Sequence, residues 1–307
     1  MNNGWSLNQQ LIELVAQKEC RQVFILGNSD SGKTTFLATL VNLLKEKEGV
    51  ALVDLDAGQS RIGPPTTVAW GFLPATNFSW EKVKVEDMYF IGSTTAYGSL
   101  LPAVTGTVLI CQAALKKAKK LFIDSCGLVS FSAGTALKTA QIQLVAPDLV
   151  LALAHGQELD LILEPFQAHP KIKTLKIKVP PEVGVKTVAQ RTAYRERQFR
   201  LYFAKAQKLE FFWPQTTLNS VYLGVNVQQK LKQEEKGFFQ NRLVSLRHAN
   251  GFDLALAVIL EVNFTAQSFT LLTPLAATEK GKVAAVIFSK LVLNPETGVH
   301  YKAATEV

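Results

Sequence analysis

Gly27-Asn28-Ser29-Asp30-Ser31-Gly32-Lys33-Thr34, followed by Thr35, is the stretch that decides the fold. It reads G-x-x-x-x-G-K-[ST] and stands between the β-rich run RQVFILG (21–27) and the helical pattern FLATLVNLLKEKE (36–48). A phosphate-cradling loop requires that strand–loop–helix setting. Gly27 and Gly32 permit a backbone that turns several N–H groups inward toward one phosphate. The helix beginning near Lys33 adds its positive end. Lys33 is placed to reach the β- and γ-phosphates, and Thr34 carries a hydroxyl suited to Mg²⁺. Residues 27–35 are therefore the expected nucleotide-phosphate site.

Outward from this loop, short apolar runs alternate with helical patterns. VALVDLD (50–56), DMYFIG (87–92), KLFIDS (120–125), DLVLALA (148–154) and IKTLKIKV (172–179) read as strands. Helical patterns lie at 100–120, 133–145, 157–167 and 186–207. Such alternation predicts an α/β P-loop fold, a mainly parallel sheet flanked by helices. After Trp213-Pro214 the character changes: RLVSLRH, DLALAVILEVNF, SFTLLTPL and KVAAVIFSKLVL are strand-like and separated by turns. The expected organisation is a P-loop domain over 1–208, with an Arg-rich lid at about 184–206, and a small β-rich domain over 209–307.

Several polar residues fall at strand ends, where a parallel α/β sheet gathers its ligands. Asp54 and Asp56 lie on one side of a strand by alternation. A carboxylate there can hold Mg²⁺ through water or accept the proton of an attacking hydroxyl. For Asp54, capping the turn before Gly58 is an equal reading; Asp56, nearer the loop, is the better catalytic candidate. Asp124 ends an apolar strand in the position that usually supports Mg²⁺ or its waters. Gly92-Ser93-Thr94-Thr95 places three hydroxyls in a loop at the same sheet edge, able to cap the next helix or to grip a substrate backbone.

The formal charge of +8 is localised. Residues 171–208 hold eleven Lys/Arg against two acids, which leaves the rest of the chain close to neutral. One concentrated basic segment suits a polyanionic ligand. Arg191, Arg195, Arg197 and Arg200 share its helix; Arg191 and Arg195 fall on one face, and Arg200 lies well around the cylinder. Arginine suits a transferring phosphoryl group because its planar fork spreads over negative charge. Three scattered cysteines suggest a reduced, cytoplasmic setting. No zinc spacing, signal peptide or membrane span is readable; the uncharged stretch 88–115 is broken by glycines, Pro102 and hydroxyl residues.

In this order, GNSDSGKTT, VDLDAGQ, FIGSTT, FIDSCG and QRTAYRERQFRLYF resemble the polynucleotide 5'-hydroxyl kinases of tRNA splicing, mRNA 3'-end formation and ribosomal RNA processing. The resemblance implies transfer of the ATP γ-phosphate to the 5'-OH end of RNA, or of DNA, with Mg²⁺. It implies that Lys33 and Thr34 serve the phosphates and metal, and that Asp56, with Gln59 beside it, activates the hydroxyl. It makes Arg195 and Arg200 the bracing arginines with Arg191 as helper, and Ser93, Thr94 and Thr95 a grip on the first nucleotides. Two residues depart from the pattern: Ala57 replaces a common proline, and Leu128 replaces a tryptophan able to stack on a base. With only about twenty residues before the first strand, a compact bacterial or archaeal form is expected. Two other classes use the same loop: a GTPase or metallochaperone-type switch, and a catalytically silent ATP-binding scaffold.

Overall fold

The computed structural model describes residues 5, 7–74 and 78–303. A short helix α1 (Gln9–Ala16) precedes strand β1 (Gln22–Gly27), and helix α2 (Lys33–Leu43) follows the phosphate loop. The chain continues through β2 (Val50–Asp54), β3 (Thr67–Phe72), β4 (Asp87–Phe90), α3 (Leu100–Lys117), β5 (Lys120–Asp124) and α4 (Phe131–Val145). Next come β6 (Leu149–Ala154), the single turn α5 (Asp160–Leu163), β7 (Lys173–Lys178) and the long helix α6 (Val188–Phe203). These strands form one sheet in the order β4-β3-β2-β5-β1-β6-β7.

Alternation along the strands explains the two layers around this sheet. Phe24, Leu26, Val53, Ile123 and Ala152 face α3 and α4, whereas Val23, Ile25, Leu52, Phe122 and Leu151 face α1 and α2. The central strands are buried on both faces, so they read as continuous apolar runs.

β3, TVAWGF, is a strand that the sequence reading missed. It pairs antiparallel with both β2 and β4. Two successive reversals leave β4 running in the same direction as β2. The C-terminal end of β4, and the Gly92–Thr95 loop after it, therefore emerge at the same sheet edge as Gly27, Asp54 and Asp124.

The second sheet contains β8 (Gln207–Phe212), β9 (Thr217–Asn219), β10 (Arg242–His248), β11 (Asp253–Asn263), β12 (Ser268–Thr273), β13 (Val283–Leu293) and β14 (His300–Lys302). Its order is β14-β13-β10-β11-β12-β8, with β9 beside β13. The change of sheet thus lies between Phe203 and Gln207, and the expected boundary at 208/209 falls inside β8. One face of this sheet is covered by α7 (Val227–Lys232) and α8 (Lys236–Phe239) through Val227, Leu231 and Phe239. The other face packs on the P-loop domain: Leu243, Leu256, Val258 and Ile287 share a core with Phe90, Phe199 and Phe203. Among the described residues, no helix is long and apolar enough to cross a membrane.

Candidate active site

The phosphate loop leaves β1 and enters α2 with Gly32 as helix N-cap in the left-handed region, φ 74°. Lys33 is buried, and its Nζ donates to the Asn28 carbonyl at 2.7 Å. Burial pulls its pKa below the ordinary lysine value, and the carboxylates of Asp124 and Asp56 act against that pull. The Thr34 hydroxyl donates to Asp124 Oδ2 at 2.8 Å. The other oxygen of Asp124 is buried without a hydrogen-bond partner. Burial raises the Asp124 carboxyl to about 6, against the charge of Lys33 and the Thr34 hydrogen bond.

Asp54 and Asp56 occupy different surroundings despite sharing a strand end. Asp54 is buried and accepts the backbone amides of Asp56, Arg61 and Ile62. Its oxygens are committed to shaping residues 55–62, and burial together with the Asp124 charge raises it to about 7. Asp56 stands beyond it in the loop, where one oxygen accepts the amides of Gly58 (3.0 Å) and Gln59 (2.9 Å). Those two bonds fix the carboxylate's direction.

Asp56 lies where two cavities meet. The first, about 310 Å³, is lined by Lys33, Thr34, Thr35, Arg61, Ser125 and Lys186, and by Trp5 and Val183, which stand against Gly32. The second, about 360 Å³, is lined by Thr94, Thr95, Cys126, Leu128, Phe131 and Arg195. Ser29, Asp56, Gln59, Gly127 and Arg191 border both. The loops carrying Asp56 and Thr94 are in direct contact: a Cβ on Gly58 would lie 2.4 Å from the Thr94 carbonyl oxygen, so only glycine fits there.

Helix α6 roofs the junction. Its first turn carries a capping box between Thr187 and Gln190. Arg191 pairs with Asp30 of the phosphate loop, and its carbonyl accepts from the Gln59 side chain at 3.2 Å. Tyr194 donates to the Ser60 carbonyl at 2.7 Å, and the Arg61 guanidinium lies 4.9 Å over its ring. Arg195 donates to Thr192 at 2.9 Å while its Nε is buried without a partner. Burial lowers its pKa, and the Asp56 charge opposes that.

Of the residues expected from sequence, 28–30, 32–35, Asp56, Gln59, Thr94, Thr95, Arg191 and Arg195 gather around the junction; Gly27, at the end of β1, and buried Ser31 stand behind it. Three more, from other segments, do not line either cavity. Arg200 is exposed on another flank of α6, as its angular offset requires. Ser93 is buried and accepts the Thr95 amide, so it holds the loop rather than facing the cavity. Asp54 holds the neighbouring loop in the same way.

Sequence reading missed Arg61, Lys186, Tyr194 and Phe131. The first three carried faint signals: Arg61 follows Gln59 by two residues, and Lys186 and Tyr194 belong to the basic segment. Phe131 carried none. It opens α4 with φ 62°, a conformation costly for a bulky residue. The residue is 83% exposed at the rim of the second cavity.

Residues 27–205 match the model of a P-loop family, "mRNA cleavage and polyadenylation factor CLP1 P-loop". The chain belongs to that family. It is 37% identical over 188 residues to the polyribonucleotide 5'-hydroxyl-kinase of Methanocaldococcus jannaschii, covering 61% of this chain and 51% of that protein. It is 30% identical over 230 residues to the polyribonucleotide 5'-hydroxyl-kinase of Pyrococcus furiosus, covering 74% of this chain and 62% of that one. The chain thus spans about half to three-fifths of the length of these curated relatives. Among solved structures, Clp1p in a complex with Pcf11p superposes with a TM-score of 0.67 at 12% identity, covering 91% of this chain and 76% of that one. At that identity the likeness speaks for the fold: both sheets, and not only the P-loop domain, belong to the CLP1 architecture.

Proposed function

We propose that this chain is an ATP-dependent polynucleotide 5'-hydroxyl kinase acting on RNA. The observation that carries the reading is the pair of cavities meeting at Asp56, one faced by the phosphate loop and the other by an acceptor-side loop. The triphosphate occupies the first with its γ-phosphate toward Asp56, and the 5'-hydroxyl enters from the second. The names of the curated relatives support the same reaction and acceptor.

The residues present fit a divalent cation: the unpartnered oxygen of buried Asp124, the Thr34 hydroxyl and Asp56 are hard oxygen donors on one side of the phosphate loop. Mg²⁺ held there would neutralise charge on the β- and γ-phosphates.

The chain's own groups do the rest. Asp56, fixed by its two amide donors, accepts a hydrogen bond from the 5'-OH and orients the oxygen in line with the γ-phosphorus. A primary alcohol loses its proton late in a loose transition state, so orientation matters more than base strength. The O–P bond to the acceptor forms as the bond to ADP breaks, and the proton passes to Asp56. Lys33, Arg191 and Arg195 spread positive charge over the transferring group. Arg195 Nε is a buried donor that a phosphoryl oxygen would satisfy. Thr94 and Thr95 contact the acceptor backbone. The exposed ring of Phe131 offers a flat apolar face to an unstacked terminal base.

The test is label transfer from γ-labelled ATP to 5'-OH RNA and DNA oligonucleotides, beside a control without oligonucleotide. The kinase reading expects labelled RNA ends and little free phosphate. Hydrolysis without oligonucleotide would indicate a switch ATPase, and nucleotide binding without either product a silent scaffold.

A further inference from the structure

The second sheet touches the acceptor side of the site at two separate places. The first is the end of β4. The backbone N–H of Phe90, two residues before Gly92, donates to Asp253 Oδ2 at 2.6 Å. The Asp253 carboxylate is fully enclosed and also accepts the Ser245 hydroxyl at 2.6 Å and both arms of the Arg247 fork, at 3.0 and 2.9 Å. Burial works against the Arg247 charge, but the Asp253 fork outweighs it and raises the guanidinium above its ordinary value.

Arg247 in turn lies 4.5 Å over the ring of Tyr89, whose hydroxyl meets that of Tyr222 at 3.0 Å. The Tyr222 ring closes over Gly92: an added Cβ there would stand 3.1 Å from Tyr222 Cδ2, and Gly92 has φ 72°. The strand leading into the Thr94–Thr95 loop and the first residue of that loop are thus fixed by side chains of the C-terminal unit.

The second place is helix α6. Phe199 and Phe203 enter the same core as Leu243, Leu256 and Ile287, and the Tyr202 hydroxyl accepts the Leu256 amide at 2.9 Å. Gly298, before β14, lies directly on the helix backbone: a Cβ there would be 2.0 Å from the Glu196 carbonyl oxygen. Glu196 adjoins Arg195. One sheet therefore holds both the loop that faces the acceptor and the helix that carries the arginines, while the phosphate loop is built wholly on the first sheet.

We propose that the C-terminal β unit is the positioning element for the acceptor, with Asp253, Arg247 and Tyr222 setting the Gly92–Thr95 loop and Gly298 setting the height of α6. This rests on the kinase reading above. Because a large charge-assisted cluster would be an expensive way to join two domains, its placement at the root of the acceptor loop is the informative feature. A buried fork stabilises little beyond an apolar contact, but it fixes direction.

Two variants of the full chain separate this role from simple stability. Asp253→Asn keeps the shape but cannot accept all four donors; it should raise KM for a 5'-OH oligoribonucleotide about ten-fold with KM for ATP within about two-fold. Gly298→Ala should displace α6 and lower kcat about ten-fold per folded molecule, counted by titrating the ATP-binding sites, leaving KM for both substrates nearly unchanged. Conservative Arg247→Lys should recover most of the acceptor KM that Arg247→Ala loses. Loss of folded protein alone would lower the apparent kcat of Asp253→Asn without moving either KM, and would leave Gly298→Ala with a wild-type kcat per folded molecule; either result overturns the proposal. So does an Asp253→Asn enzyme whose two KM values rise together. A wild-type chain that labels no 5'-OH end sinks the kinase reading and this inference with it; an active wild type beside an unaffected Asp253→Asn sinks the inference alone.

Discussion

The two cavities on either side of Asp56 are assembled in different ways. The cavity that faces the phosphate loop is dominated by one continuous loop, residues 27–35, and by the ends of parallel strands on one sheet. The second cavity draws on the loop after β4, the turn before α4 and helix α6, and two of these elements rest on the second sheet. A site made from one stretch of backbone leaves a motif in the sequence. A site made from separated segments leaves single residues, which acquire meaning only when the topology brings them together.

This difference can be broken or sharpened by experiment. The largest effect belongs to the nucleotide side: Lys33→Ala should lower transfer about 1,000-fold, while the binding of a fluorescent 5'-OH oligonucleotide, read by anisotropy, stays within about two-fold. A matching loss of oligonucleotide binding would mean that the cavities are one site. Next, Arg195→Ala should cost about 100-fold in kcat, whereas Arg200→Ala, on the exposed flank, should remain within about two-fold. Equal losses would place both arginines over the phosphoryl group and contradict the roles assigned here.

Smaller again is Phe131. Replacing it with alanine should raise KM for the acceptor about ten-fold, the worth of one stacked base, and the effect should vanish on an acceptor whose first nucleotide is abasic. Phe131→Gly should weaken acceptor binding similarly yet raise the melting temperature, because glycine relieves the φ of 62°. A melting temperature that falls with glycine would make the ring a packing residue.

The smallest effect is on stability in chelator. Burial raises the Asp124 and Asp54 carboxyls to about 6 and about 7, above the ordinary value of 3.8. Between those limits the folded chain binds more protons than the unfolded one, so this contribution is present below about pH 4 and is lost as pH rises through 6 to 7. The melting temperature should therefore fall from pH 5 to pH 8, with a shallower slope in Asp124→Asn. A rising melting temperature over the same range would contradict these surroundings.

Much of the P-loop domain was legible because its signals are local. Apolar runs bounded by turns gave the parallel strands, and the strand–loop–helix context gave the phosphate site. β3 was overlooked because TVAWGF carries a glycine and follows a long polar loop, yet it is the strand that restores β4 to the direction of β2. The division of labour between Asp54 and Asp56 was not legible either. Alternation puts both on one side, and only the fold of residues 55–62 back onto Asp54 commits that carboxylate to backbone amides. Phe131 and Asp253 lay beyond reach for another reason: a backbone strain and a bond between sheets leave no periodicity to read.

The central claim is that Asp56 is the wall the two substrates share. Single-turnover transfer by Asp56→Asn, with ATP and 5'-OH RNA prebound, tests it most directly. The account predicts a rate about 100-fold below wild type, with both substrates bound within about two-fold of wild-type affinity. Transfer at near wild-type rate would contradict it.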